Sequence, residues 1–415
     1  MHFPGPASCS LAALALLAGS PGARAQQQPT FRSTTALVQV EAIVLDGQGQ
    51  FVEGLDADDL TVFEDGKPQK IEQFYMVTHE PARRASMIAA DEAGRPAEAA
   101  HRLFLLVFDE GHLAPESLVR IQKGATAFIM EHMGPGDVGG VFVNGELYQG
   151  RVTTDKGALL AGVRSAKPAV EHRQSLLAAF REFPRIPSEN DALRIAEGSR
   201  ELAARVASDA CRAEPVLCEV EGFAEGVQTR IEQKARHYVR SARVLADRTM
   251  QTVSAISESL GQYPGRKTLV LLSEGFFVQD SRAAVERLAG RAARAGVTIY
   301  SIDGRGVTSM TGTADAVSTG AARSTLFDSG EEGPAILTGG TGGFVVRNID
   351  DMTRAFNMIA RDTSTYYVLG YSPTNTNMNG KFRKINVKTT IGGATVRARK
   401  GYMATALPPQ RRIWK

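Results

Sequence analysis

The chain has 415 residues, with 48 Lys and Arg against 45 Asp and Glu, a net charge of +3 at pH 7, and a single tryptophan. So even a balance gives no strong field, which argues against nucleic acid or an anionic lipid surface as a partner, and one tryptophan argues against an aromatic-lined sugar groove. The length suits two or three domains.

At the N-terminus, residues 11–18 are a run of Leu and Ala, and Ala23-Arg24-Ala25 offers small residues where a signal peptidase reads. The expectation is a secretory signal over residues 1–25, and hence an exported protein, periplasmic, envelope-associated or extracellular. The run is too short for a retained anchor, which needs about 20 apolar residues. No later segment is long and apolar enough to span a bilayer. Past the signal only Cys211 and Cys218 remain. Two cysteines close together in an exported chain predict one disulfide, with a pair of buried thiols as the alternative.

Residues 34–77 read as half of a β-module. Val38, Val40, Ala42 and Val44 recur at period two, and Asp46-Gly47 and Asp65-Gly66 are turn dipeptides. Residues 78–100 show no periodicity and read as a linker. Residues 101–362 alternate strand and helix: apolar strands at 103–108, 138–143, 146–152, 267–272, 297–302 and 344–346, with helices near 115–133, 281–295 and 350–361. That order predicts a doubly wound α/β sheet of the Rossmann-like kind, with a binding crevice at the carboxyl ends of its strands. A helical stretch over about 174–260 exceeds what such a unit needs and reads as an insertion beside the crevice. Residues 365–403 return to β-structure. Neither terminal β-segment is large enough to bury a core alone, so the two are expected to pair into one β-sandwich flanking the α/β domain.

Three stretches near the start carry a resemblance: Val40 to Asp46, Gly54 to Leu60, and Glu64 to Ile71 (Glu-Asp-Gly-Lys-Pro-Gln-Lys-Ile). Three near the end match them: Tyr366 to Pro373 (Tyr-Tyr-Val-Leu-Gly-Tyr-Ser-Pro), Gly380 to Ile385, and Val396 to Tyr402. Together they resemble the exported von Willebrand factor A (VWA)-related proteins abundant in Acidobacteria. The resemblance spans almost the whole chain after the signal. It implies a fold used for binding proteins rather than for chemistry.

A typical VWA domain binds Mg²⁺ or another divalent ion through Asp-x-Ser-x-Ser after its first strand, a Thr from a later connection and an Asp after its fourth strand. Hydroxyl and carboxylate oxygens suit a hard cation. Here the first motif reads Asp109-Glu110-Gly111-His112-Leu113, without either serine. Around 168–175 the only hydroxyl is Ser175, next to the cation Arg173. After the fourth strand stand Ser273-Glu274-Gly275, with Glu in place of Asp. The resemblance thus leaves Asp109 and Glu274 as a degenerate metal pair, with Glu110, Gly111, His112, Ser175 and Ser273 as further crevice residues. Three arrangements are open: the carboxylates hold a weak divalent ion, are solvated, or pair with Arg173.

Other motifs are weaker. Thr338-Gly339-Gly340-Thr341-Gly342-Gly343 lacks the Gly-Lys-Ser/Thr ending of a phosphate loop and reads as a flexible turn. Leu271 stands where a nucleophile elbow around Ser273 needs Gly. Arg397, Arg399 and Lys400 read as one basic face of a strand. The sequence therefore favours a non-catalytic, metal-independent protein-binding module of the bacterial envelope, partner unidentified and no cofactor required. A metal-dependent adhesin is the second reading. A hydrolase using Asp109, Glu274 and His112 is the third, and lacks a base–nucleophile pair of recognisable spacing.

Overall fold

A computed structural model describes residues 37–79, 102–263, 265–276, 278, 281–307 and 330–406. The expected signal peptide and residues 80–100 of the expected linker lie outside them. The N-terminal segment gives β1 (Val38–Leu45), β2 (Leu60–Glu64), β3 (Lys67–Gln69) and β4 (Ile71–Thr78). The α/β segment follows with β5 (Leu103–Phe108), α1 (Pro115–His132), β6 (Val138–Val143), a two-residue β7 (Glu146–Leu147) and α2 (Lys156–Ser165). Five helices come next: α3 (Arg173–Ala178), α4 (Glu189–Ala196), α5 (Arg200–Ala213), α6 (Pro215–Val220) and α7 (Phe223–Leu260). The sheet then resumes with β8 (Lys267–Leu272), α8 (Arg282–Arg294), β9 (Val297–Ile302), α9 (Glu332–Thr341), β10 (Val345–Val346) and α10 (Met352–Asp362). The C-terminal segment supplies β11 (Thr365–Tyr371), β12 (Phe382–Thr389), β13 (Thr395–Ala398) and β14 (Gly401–Met403).

The six-stranded sheet runs β10-β9-β8-β5-β6-β7, parallel except for β7. Its central strands are apolar at almost every position because both faces are covered. Phe104, Leu106 and Phe108 face α1, α2 and α10, whereas Leu103, Leu105 and Val107 face the end of α7, α8 and α9. The strand expected over 146–152 stops after Leu147, because the chain turns into a short 3-10 segment with Gln149 at φ 55°. The glycine run that read as a flexible turn is a packing device. Thr338–Thr341 finish α9, Gly342 caps it at φ 89°, and a Cβ on Gly343 would sit 1.9 Å from the Ile299 carbonyl oxygen.

Each of two four-stranded sheets takes two strands from each end of the chain, in the orders β13-β1-β11-β4 and β14-β12-β2-β3. One apolar cluster draws on both, with Val40, Val44, Tyr367 and Leu369 from the first and Val62, Ile385, Val387 and Tyr402 from the second. Glu64 on β2 accepts hydrogen bonds from Tyr371 on β11 (2.7 Å) and Tyr402 on β14 (2.9 Å), which ties the two sheets through a buried carboxylate.

The helical stretch has an apolar cluster of its own, running from Leu176 and Phe180 to Ala242 and Leu245. Helix α7 belongs to two cores. Its residues up to Leu245 pack in that cluster, while Ala246, Val253, Ile256 and Leu260 pack on the sheet. The last turns of α7 are thus a covering helix of the α/β unit. Cys211 on α5 is bonded to Cys218 on α6. The sequence separation of 7 closes a short loop, and restricting it in the unfolded chain is worth about 2–3 kcal/mol. The double variant Cys211→Ser/Cys218→Ser is expected to lower unfolding stability by that amount in chemical denaturation. An unchanged midpoint, with wild type equally indifferent to reductant, would contradict this.

Candidate functional site

In the sheet order, β5 and β8 lie side by side and the chain winds away from them in opposite directions. The crevice of such a sheet opens at the carboxyl ends of this pair. Asp109 follows β5, and Ser273 and Glu274 follow β8, so topology alone brings these residues together. Backbone bonds fix the tips: the Asp109 amide donates to Leu272 O at 3.0 Å, and the Glu274 amide to His112 O at 2.9 Å.

Asp109 is only 9% exposed. A buried carboxylate needs donors or a cation, and this one has three donors. Thr249 Oγ1 donates to Oδ1 at 2.8 Å, and Ser273 Oγ donates to Oδ2 at 2.7 Å. His112 Nδ1 lies 3.0 Å from Oδ2 and 3.3 Å from Thr249 Oγ1. An ionised carboxylate only accepts, so His112 carries a proton on Nδ1. Burial pushes the Asp109 pKa up, but the His112 charge and the hydrogen bonds from His112, Ser273 and Thr249 outweigh it and hold the pKa below the ordinary value. Thr249 was not foreseen from sequence. It lies on α7 where that helix passes from the insertion's core to the sheet.

The second carboxylate is oriented elsewhere. Glu274, 1% exposed, accepts the Ala114 amide at 2.9 Å through Oε1, at the entry to α1. Arg173 reaches these tips, its guanidinium 3.2 Å from the position of a Cβ on Gly330, which packs on Gly275, and so does Arg305, which was not foreseen from sequence. The Arg305 guanidinium grips Asp303, just past β9, with Nε at 2.9 and 3.0 Å from the two carboxylate oxygens. Burial lowers the Arg305 pKa, but the hydrogen bonds and charge of Asp303, with Glu274 and Glu331 further off, raise it overall. Arg173 instead pairs with Glu189 at 2.8 Å, and Tyr238 donates to the same carboxylate.

The remaining crevice candidates have structural duties. Glu110 accepts the amides of Asn144 (2.9 Å) and Lys167 (3.3 Å), tying two loops to the turn after β5. Burial is the largest cause of its raised pKa. Gly111 packs on α7, where a Cβ would lie 3.0 Å from Leu245 Cδ2. Ser175 takes no part in the Asp109 network: it is exposed and caps α3, its hydroxyl donating to His172 O at 2.7 Å. Among the described residues, no group of three or more His, Cys, Asp or Glu is placed to hold a metal ion. The His112 geometry also differs from a catalytic triad, in which the acid and the hydroxyl engage opposite ring nitrogens. Here both engage Nδ1.

Replacing Asp109 removes the acceptor of three buried donors, of which Thr249 can still turn to Leu245 O at 3.2 Å. Asp109→Ala is expected to cost about 2–3 kcal/mol at neutral pH. Because the folded pKa is depressed, the ionised group stabilises the fold fully above pH about 4, and that stabilisation is lost as pH falls further. The gap between wild type and variant in denaturation midpoints should therefore narrow below pH about 4. A gap that stays constant through that range would contradict the network.

No family model and no curated protein matches this chain. Among solved structures it is similar to an aerotolerance-related membrane protein from Bacteroides fragilis NCTC 9343 with multiple mutations to serines. The identity is 12%, the TM-score 0.30, and the match covers 64% of this chain and 98% of that one. At that score the likeness settles neither family nor function. Among the described residues, no helix is long and apolar enough to cross a membrane.

Proposed function

We propose that this is an exported, non-catalytic, VWA-like protein of the bacterial envelope that binds a protein partner without a metal ion. In this reading the two mixed sheets form the β-sandwich expected of the family it resembles, and the α/β unit is carried between them. The observation that carries the reading is the Asp109 carboxylate, both of whose oxygens already accept hydrogen bonds. Its oxygens are taken by Thr249, Ser273 and His112, where a metal-dependent site of this kind leaves them for a cation and its hydroxyl ligands.

Recognition is assigned to the insertion. Its base touches the crevice, since Leu245 packs on Gly111. Its far end lies away from the crevice: α7 extends from Thr249 back to Phe223 over roughly 40 Å at 1.5 Å per residue. At that end Val216 (73% exposed), Val220 (77%) and Phe223 (66%) are large apolar side chains left in solvent. Three such side chains within eight residues suit an interaction site. The disulfide holds α6 against α5 and so fixes part of it before binding.

A second reading is favoured by one observation. The hydroxyls that converge on Asp109 are of the type a hard cation takes, so a weak divalent ion held by Asp109, with Glu274 nearby, makes a metal-dependent adhesin. The readings separate in a capture experiment from envelope extract. Metal-independent binding by the insertion predicts a partner retained in EDTA and lost with the pair Val220→Ser/Phe223→Ser, whose denaturation midpoint stays within about 0.5 kcal/mol of wild type. Capture abolished by EDTA, and restored by Mg²⁺ or Mn²⁺, would overturn it in favour of the adhesin.

A further inference from the structure

At the opposite end of the parallel sheet from Asp109, where β8 and β9 begin, the α/β unit meets the sheet containing β1 and β13. A cleft of about 430 Å³, including its open mouth, lies at that junction. Three arginines line it: Arg266 ahead of β8, Arg397 on β13 and Arg399 just beyond. The lining contains one carboxylate, Glu41 on β1, 3.0 Å from Arg266 Nε. Asp362 pairs with Arg397. Lys267 adds a further cation at the edge, its ammonium 3.1 Å from the position of a Cβ on the lining residue Gly296. Charge at the junction is therefore in positive excess.

These guanidiniums are incompletely bonded. Arg266 is 6% exposed and donates from Nη2 to Tyr300 Oη at 2.9 Å, yet its buried Nη1 has no hydrogen-bond partner. The buried Nε atoms of Arg397 and Arg399 also have none. Leaving such donors unmatched is costly, and guanidinium forks are matched best by oxyanions. Burial lowers the pKa of both Arg397 and Arg399, and burial, with Arg399 adding to it, brings Lys267 down to about 8. Burial opposes the Arg266 charge too, but Tyr300, Glu41 and Tyr366 raise its pKa overall, so the cations short of countercharge are Arg397, Arg399 and Lys267.

From the three convergent arginines and their unmatched buried donors we infer that this cleft binds a small tetrahedral oxyanion, phosphate or sulfate, and that the anion braces the α/β unit against the β1-containing sheet. Arg399 contributes through Nε while its Nη1 remains on Ala293 O. Glu41 competes with the anion for Arg266.

Calorimetric titration of the full chain with sodium phosphate and with sodium sulfate, against sodium chloride at matched ionic strength, tests this. Saturable one-to-one binding of at least one oxyanion, with none for chloride, is expected. Arg399→Gln should weaken it about tenfold, the loss of one charge-assisted bond. Glu41→Gln should tighten it severalfold, a gain that misfolding does not imitate. Equal heats with chloride, or no tightening in Glu41→Gln, would overturn the proposal.

Discussion

A carboxylate buried at the switch point of a parallel sheet has to be answered by positive charge or by donors, and much of this molecule is arranged around that requirement. The apolar run of β5 delivers Asp109 to the strand tips whatever follows it. The answering groups come from three places: His112 in the turn, Ser273 after β8 and Thr249 on α7. The last of these explains why the helical insertion is continuous with the core. One rod carries the insertion's own apolar cluster, passes Asp109, and then covers the sheet. Insertion and strand tips are therefore one mechanical unit, while the exposed apolar end of the insertion stands roughly 40 Å away along the rod.

The second constraint is that neither end of the chain can bury a core alone. The sequence ends meet in two mixed sheets, and the tyrosines of β11 and β14 converge on Glu64. Joining the ends this way also brings β1 and β13 against the amino ends of β8 and β9. The arginine-lined cleft is a product of that closure. It belongs to no single segment, and both parts of the fold have to be present for it to exist.

Those same features explain what was legible in the sequence. Strands 103–108, 267–272 and 297–302 were readable to the residue, because burial on both faces writes a continuous apolar run. The cysteine pair was likewise a local signal. Thr249 was not readable: a hydroxyl within a long mixed-charge helix looks like any surface residue until the register of that helix on the sheet is known. Ser175 misled for the converse reason, since a hydroxyl three residues after His172 is also the spacing of a helix cap. Pairing with Arg173 was only one of three arrangements left open, because Glu189 reaches Arg173 only through the fold of the helical stretch, and Arg305 was overlooked because Asp303 had not been counted among the strand tips. The basic run at 397–400 read as one face of a strand, and Arg397 and Arg399, two residues apart, both line the junction.

The central claim is that internal donors stand where a metal would. Its most direct test is a crystal grown from the full chain and soaked in millimolar Mn²⁺, with anomalous diffraction recorded at the manganese edge. The account predicts no anomalous peak at the strand tips, with the Thr249 and Ser273 hydroxyls still on Asp109. A peak at bonding distance from Asp109, with His112 displaced, would contradict it.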